Sequence, residues 1–340
     1  MVGEIIFLLA GLLMILMAAE GFTNGIETFG RKYSFSQAVV GSLFAAVGTA
    51  LPETILPVVA ILFYKGKSAE DIGVGAILGA PFMLSTLAFF LVGVTVITSY
   101  LQKRRTFAIN VETHSTKRDL VFFLPMYSAA VMLPGIAGHS FSVFMAVMLI
   151  FGYCFYAYRT FRAESAEIEH SEEMYLLRLF RKLRFINAEN PHLFLIVLQV
   201  AGSLAVMITG AYTFVEKLEH ISIRFGINPF LSALILAPIA TELPEQFNSV
   251  IWIWKGRDTL AVGNITGAMV FQSTFPVCVG LLFTEWKLTG MAFLSAVIAL
   301  ISALIVLGEI TFRKRLSPFT MLFGGGLYLI YTLVMVSGKG

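Results

Sequence analysis

Gly48-Thr49-Ala50-Leu51-Pro52-Glu53 lies inside an apolar stretch, and Ala240-Thr241-Glu242-Leu243-Pro244-Glu245 repeats its pattern 192 residues later. A carboxylate near the middle of a bilayer is costly unless it faces water or a cation. Each copy sets a glutamate beside a proline, whose ring nitrogen cannot donate to the carbonyl four residues earlier. Pro52 therefore releases the carbonyl of Gly48, Pro244 that of Ala240, and Pro57 that of Glu53 itself. Inside a membrane those oxygens need another partner, such as a bound cation. The pattern predicts an opened helix at each copy and one ion site built from both.

The surrounding chain reads as an all-α polytopic membrane protein. It is 57% hydrophobic and 13% charged, with a mean hydropathy of +0.83, where a soluble domain carries roughly a quarter charged residues. Apolar runs long enough to span a bilayer as helices recur at about 3–24, 37–63, 72–98, 119–136, 139–158, 193–215, 227–254, 260–284, 288–308 and 316–336. The first has no basic stretch before it and no small-residue cleavage site, so a cleaved signal peptide is not expected. Cys154 and Cys278 both fall within spans and suggest neither a disulfide framework nor a metal cluster.

Placement of charge sets the orientation. An outside N-terminus puts Arg31 and Lys32, the Lys103–Arg105 cluster with Lys117 and Arg118, the basic residues between Arg159 and Arg184, Lys255 and Arg257, and Arg313 to Arg315 in inward loops. These are most of the 24 basic residues, so the positive-inside rule selects both termini outside, in a cell (inner) membrane.

The polar stretch 160–192 divides the ten transmembrane helices into two sets of five. An odd number per half makes the halves insert in opposite directions, as two inverted five-helix repeats. Residues 1–159 form the first repeat, 160–192 a cytoplasmic central loop, and 193–340 the second repeat. Phe22 pairs with Phe214, Lys65-Gly66-Lys67 with Lys255-Gly256-Arg257, Gly75 and Gly79 with Gly263 and Gly267, and Leu84-Ser85-Thr86 with Gln272-Ser273-Thr274. The glycines at four-residue spacing, like Gly324-Gly325-Gly326, are expected to let helices approach closely. In the central loop an acidic run from Glu164 to Glu173 reads as a solvated face. Met174 to Arg184 reads as a basic amphipathic helix on the inner membrane surface.

Thr49 lies four residues before Glu53, and Thr241 four before Glu245, so each pair shares a helix face. Glu242 stands one turn from Glu245. The candidate metal site is therefore Glu53, Glu245, Glu242, Thr49 and Thr241, with the carbonyls of Gly48 and Ala240. This all-oxygen set suits Na⁺ or Ca²⁺, whereas zinc or copper calls for His or Cys.

These residues resemble the cation/Ca²⁺ exchanger superfamily, and in particular its prokaryotic Na⁺/Ca²⁺ exchangers. That family has two repeats, each with Gly-Thr-Ser-Leu-Pro-Glu followed by Gly-Asn-x-x-Gly-Ser-Asn. The resemblance covers essentially the whole chain. It implies that Glu53 and Glu245 bind the transported ions at the centre, joined by oxygens of Thr49 and Thr241. It further implies secondary antiport of Ca²⁺ against Na⁺ by alternating access. The departures are specific: Ala50 and Glu242 stand where the family has serine, Ala76 replaces an asparagine that Asn264 keeps, and Ala80-Pro81 and Ala268-Met269 replace the Ser-Asn pairs. Leu84 aligns with the site asparagine and Gln272 with the site aspartate. The count of acids is unchanged if Glu242 compensates for Gln272, while several Na⁺-holding serine oxygens are gone.

Two other readings follow from the same residues. Neighbouring carboxylates repel, so H⁺ is an alternative counter-ion in an antiporter of the same fold. A membrane sensor that binds an ion without moving it is the other. No arrangement of an enzyme's nucleophile, metal or phosphate loop is present. The expected partners are cations (Ca²⁺, Na⁺ or H⁺) and the lipid bilayer, with no cofactor, no nucleic acid and no obligate protein partner.

Overall fold

In the computed structural model, residues 2–33, 50–134, 139–163, 174–182, 192–288 and 290–337 are described. Among them every regular element is helical, since lipid offers no partner to an open backbone group and a helix satisfies its own. The helices are α1 (Val2–Lys32), α2 (Leu51–Val58), α3 (Ala69–Met83), α4 (Phe89–Leu101), α5 (Thr113–Met132), α6 (His139–Ala163) and α7 (Tyr175–Lys182), then α8 (Leu193–Phe225), α9 (Pro229–Trp254), α10 (Asp258–Gln272), α11 (Phe275–Phe283), α12 (Gly290–Arg313) and α13 (Pro318–Val336).

Among the described residues, seven stretches are long and apolar enough to cross a membrane: Val2–Lys32, Ala69–Leu101, Phe141–Thr160, Leu193–Phe225, Asp258–Phe283, Gly290–Arg313 and Pro318–Met335. The two shorter apolar stretches, Leu51–Phe63 and Pro229–Glu242, are those that carry the glutamate motifs. α5 is in neither group because Lys117, Arg118 and Asp119 occupy its first turns. α1 and α8 run 31 and 33 residues. At about 1.5 Å per residue they outreach a hydrocarbon core of about 30 Å. Both therefore continue past the ends expected at 24 and 215.

The helices meet where side chains are smallest. α1 packs along α8, and a Cβ on Gly11 would sit 2.8 Å from the Gly210 carbonyl oxygen, while one on Gly210 would sit 2.7 Å from that of Gly11. α3 lies along α9 in the same way. A Cβ on Gly75 would come within 2.4 Å of the Phe230 carbonyl oxygen, and one on Gly79 within 2.2 Å of that of Leu234. Pro238 cannot donate to Leu234, so this freed oxygen turns to Gly79 instead. Gly79→Ala is expected to lower stability by about 1–3 kcal/mol, because the methyl meets backbone and only a helix shift relieves it. Gly202→Ala, at an exposed position of α8 with open space around it, is the control whose thermal melt in detergent should not fall.

The expected packing role holds for Gly75, Gly79, Gly324 and Gly325, the last two closing on the Thr86 carbonyl and the Phe90 ring. For Gly263, Gly267 and Gly326 the described residues show no such close approach. Nothing there lies within 4 Å of a Cβ at Gly263 or Gly326, and Gly267 has only the Tyr156 hydroxyl at 3.8 Å. The positions that the repeat would set against Gly263, residues 38 and 42, fall outside the described residues.

At the level of the central loop, α7 forms as the basic amphipathic pattern predicts. Its start is held by two buried polar side chains of the long helices. Asn24 Oδ1 on α1 accepts from the Tyr175 N–H at 3.0 Å, and Gln199 Oε1 on α8 accepts from the Leu176 N–H at 2.8 Å. Gln199 Nε2 donates in turn to Asn24 Oδ1 and to the Gly21 carbonyl, both at 2.9 Å. The acidic run ahead of α7 lies outside the described residues.

Two connections are pinned across the molecule by acidic residues 188 positions apart in the sequence, Glu70 and Asp258. Asp258, at the start of α10, accepts from the Asn110 N–H at 2.8 Å and binds Arg105 through both oxygens, at 2.8 and 2.6 Å. Glu70, in the first turn of α3, accepts from the Glu285 N–H at 2.9 Å. α10 thus holds the α4–α5 connection, and α3 the α11–α12 connection.

Candidate ion-binding site

The first motif starts a helix. Ala50 is the N-cap of α2, Pro52 stands in the first turn where its missing N–H is no loss, and Glu53 follows it. The partial positive charge of a helix N-terminus favours a carboxylate there. Glu53 is 8% exposed, inside the protein and away from lipid. Pro57 disturbs the next turn, and the helix passes into a π-helical turn over Val59–Phe63.

The second motif behaves differently. α9 runs unbroken from Pro229 to Trp254, through Pro238 and Pro244. The opened helix expected at Glu245 is absent: each proline removes one backbone bond, and the turns on either side hold the helix together. The break in this half lies one helix later, where α10 ends at Gln272 and α11 begins at Phe275 with Pro276 in its first turn. Ser273 and Thr274 span the gap, their hydroxyls bonded to the Val270 and Phe271 carbonyls at 2.8 and 2.7 Å. In the first half the matching Leu84-Ser85-Thr86 opens a π-helical turn over Leu84–Ala88. There Ser85 Oγ donates to the Pro81 carbonyl at 2.7 Å. Both irregularities therefore fall on the positions that the internal repeat pairs.

Glu53 and Thr241 line one cavity of about 10 Å³, with Leu56 and Pro57 from α2, Ala76 and Ala80 from α3, and Ala237 and Pro238 from α9. That is the room of one water molecule or one small ion. Thr241 Oγ1 donates to the Ala237 carbonyl at 3.1 Å, which leaves its lone pairs for a ligand. Glu242 is 2% exposed on α9, Ala240 is buried beside it, and Gln272 is buried at the end of α10. Glu242 and Gln272 are not among the cavity walls. The backbone of Glu245 lies in α9, its side chain is not described, and Gly48 and Thr49 lie outside the described residues.

Two features were missed in the sequence reading. On α9, Glu242, Gln246 and Ser249 follow one another at helical spacing on one face. Gln246 is 2% exposed, and both atoms of its amide lack a hydrogen-bond partner. The polar positions four and seven residues after Glu242 were the signal. The second feature is Asp119, buried on α5, which accepts from Thr266 Oγ1 at 2.7 Å, from the Tyr156 hydroxyl at 3.1 Å and from Arg118 at 3.2 Å. An acid at the first position of the expected span 119–136 could have flagged it.

Apolar helices lying against one another through glycine, with a carboxylate and a hydroxyl from distant motifs in one small cavity, define an integral membrane protein of the ion-transporter class. The family model described as sodium/calcium exchanger protein matches residues 3–162 and 195–337. The chain belongs to that family. An uncharacterized membrane protein of Methanocaldococcus jannaschii is 27% identical over 82% of this chain and 81% of its own length. The putative antiporter CaxA of Alkalimonas amylolytica is 24% identical over 96% of this chain and 98% of its own. Among solved structures, an H⁺/Ca²⁺ exchanger, CAX, shares the fold at a TM-score of 0.68 and 17% identity, covering 98% of this chain and 82% of that one.

Proposed function

We propose that this protein exchanges Ca²⁺ for Na⁺ across the cell membrane by alternating access. In this reading two inverted five-span repeats place both termini outside. The observation that carries it is the single cavity shared by Glu53 of the first motif and Thr241 of the second. Neither motif can enclose an ion alone, and a site at the seam of two repeats opens to either side when they rock against each other. Glu53 and Glu245 neutralise the divalent ion. Thr241 and the carbonyls that the prolines release, at Gly48, Glu53 and Ala240, complete its oxygen shell. Na⁺ ions competing for the same oxygens discharge it. The paired anchors Asp258–Asn110 and Glu70–Glu285 support the inverted repeat.

A second reading, H⁺ in place of Na⁺, is supported by Glu242. It is enclosed on α9 three residues before Glu245 in the sequence, and neighbouring carboxylates repel, which a proton relieves. Proteoliposomes loaded with Na⁺ at equal pH, and others with a pH gradient and no Na⁺, distinguish the two. Ca²⁺ uptake under the first condition and none under the second is the expected result. Uptake driven by the pH gradient and indifferent to Na⁺ moves the assignment to H⁺/Ca²⁺ exchange.

A further inference from the structure

The cavity at Glu53 and Thr241 must connect with the membrane face that carries Arg105 and Asp258. α9 runs from the cavity to that face beside α10. Ser249 Oγ donates to the Ala261 carbonyl at 3.4 Å and accepts from Asn264 Nδ2 at 3.2 Å. These contacts fix both the face of α9 that meets α10 and the antiparallel register of the pair. Three residues back along α9 on the same face is Gln246, and four further back is Glu242. The polar residues Glu242, Gln246 and Ser249, which begin one residue after the cavity wall Thr241, therefore form a line along α9 toward the end where Arg105 bonds the Ile253 carbonyl and Asp258. Positions 50 and 57, which the repeat sets against 242 and 249, are Ala50 and Pro57. Position 54, set against 246, is Thr54, whose hydroxyl donates to the Ala50 carbonyl at 2.8 Å, so the carboxylate and the amide of the line belong to one half of the chain.

Polar side chains between membrane helices commonly bind the helices together, and Ser249 with Asn264 does so. Gln246 does not. It is enclosed, and neither its oxygen nor its nitrogen has a partner in this conformation, although a helix-binding amide would be bonded. Gln272, at the far end of α10, also has an enclosed amide oxygen without a partner. A buried amide is matched when a cation or its water enters and takes the oxygen.

We propose that Gln246 is a ligand on the inner route, holding the cation between the Glu242 level and the face with Arg105 when α9 and α10 part. The proposal rests on the exchanger reading and adds a residue outside the family's motifs. It makes the two membrane faces unequal. Removing the amide should weaken the apparent affinity for Ca²⁺ at one face and leave the other as it was. A side chain that only stabilised the fold would change both.

The test uses membrane vesicles of both orientations. With Gln246→Met, close in volume and without the amide, the half-saturating Ca²⁺ concentration at the Arg105 face should rise about tenfold, the loss of one ligand bond. At the opposite face it should stay within about twofold, within ordinary variation for an untouched site. A shift at both faces, or at neither, overturns the proposal. A wild-type protein that carries no Ca²⁺ under either gradient instead removes the exchanger reading. If the methionine variant is not recovered in membranes, Gln246→Cys in a chain with Cys154→Ala and Cys278→Ala decides. A membrane-impermeant thiol reagent at the Arg105 face should stop flux, and Ca²⁺ should protect. No inhibition from that face overturns the proposal.

Discussion

Glu53→Gln combined with Glu245→Gln is expected to abolish Ca²⁺ exchange, lowering the initial rate in proteoliposomes at least about a hundredfold. Glutamine keeps the volume and an oxygen, so the change isolates charge. A hydrogen bond or contact to a charged group is worth about 1.5–3 kcal/mol, and two of them together make about two to four powers of ten. Each single variant should retain measurable flux at raised Ca²⁺. Unchanged flux would remove this cavity as the transport site and leave the reading of an ion-binding membrane sensor.

Asp258→Ala is expected to cost about 3–5 kcal/mol of stability, the penalty for stranding one member of a buried ion pair. Asp258 and Arg105 have side chains 2% and 10% exposed. Arg105 also donates to the Ile253 and Ala108 carbonyls, each at 3.0 Å. The pair thus fixes the α4–α5 connection to the turn between α9 and α10. Arg105→Met with Asp258→Leu should be less damaging than either single change, since no charge is then left uncompensated. Thermal melts of the detergent-purified protein measure both. Lys287→Ala, at the exposed pair with Glu285, should leave the melt unchanged.

Much of the fold was legible because lipid reduces the options. With water excluded, an apolar run of about 20 residues is a helix and little else. Of the expected spans, seven correspond to described stretches long and apolar enough to cross, while 37–63 is described only from residue 50. What could not be read was how far a helix continues into the interface. α1 runs on to Lys32 past Asn24, which holds the start of α7, and α8 runs on to Phe225 past Glu219, which accepts from the Tyr64 hydroxyl and the Ser68 N–H. A hydropathy window sees only apolar length.

The site divides in the same way. Glu53, Glu242, Thr241 and Gln272 are all enclosed, as acids, hydroxyls and amides in an apolar chain must be. The repeat also located both irregular turns, at Leu84-Ser85-Thr86 and Gln272-Ser273-Thr274. Proline was the weaker guide. Pro52 starts a helix and Pro244 sits within one, because the same missing N–H is harmless in a first turn and tolerated where packed neighbours hold the axis.

By itself the sequence determined the membrane class, the duplicated Thr-x-Leu-Pro-Glu element and the oxygen chemistry of the site, since each follows from composition and local spacing. The tertiary structure alone decided that Glu53 meets Thr241 in one cavity, that Gly79 admits the Leu234 carbonyl, and that Gln246 is enclosed without a partner. These depend on which helix faces which, and helix faces are chosen by packing across the whole chain rather than by any neighbour in sequence.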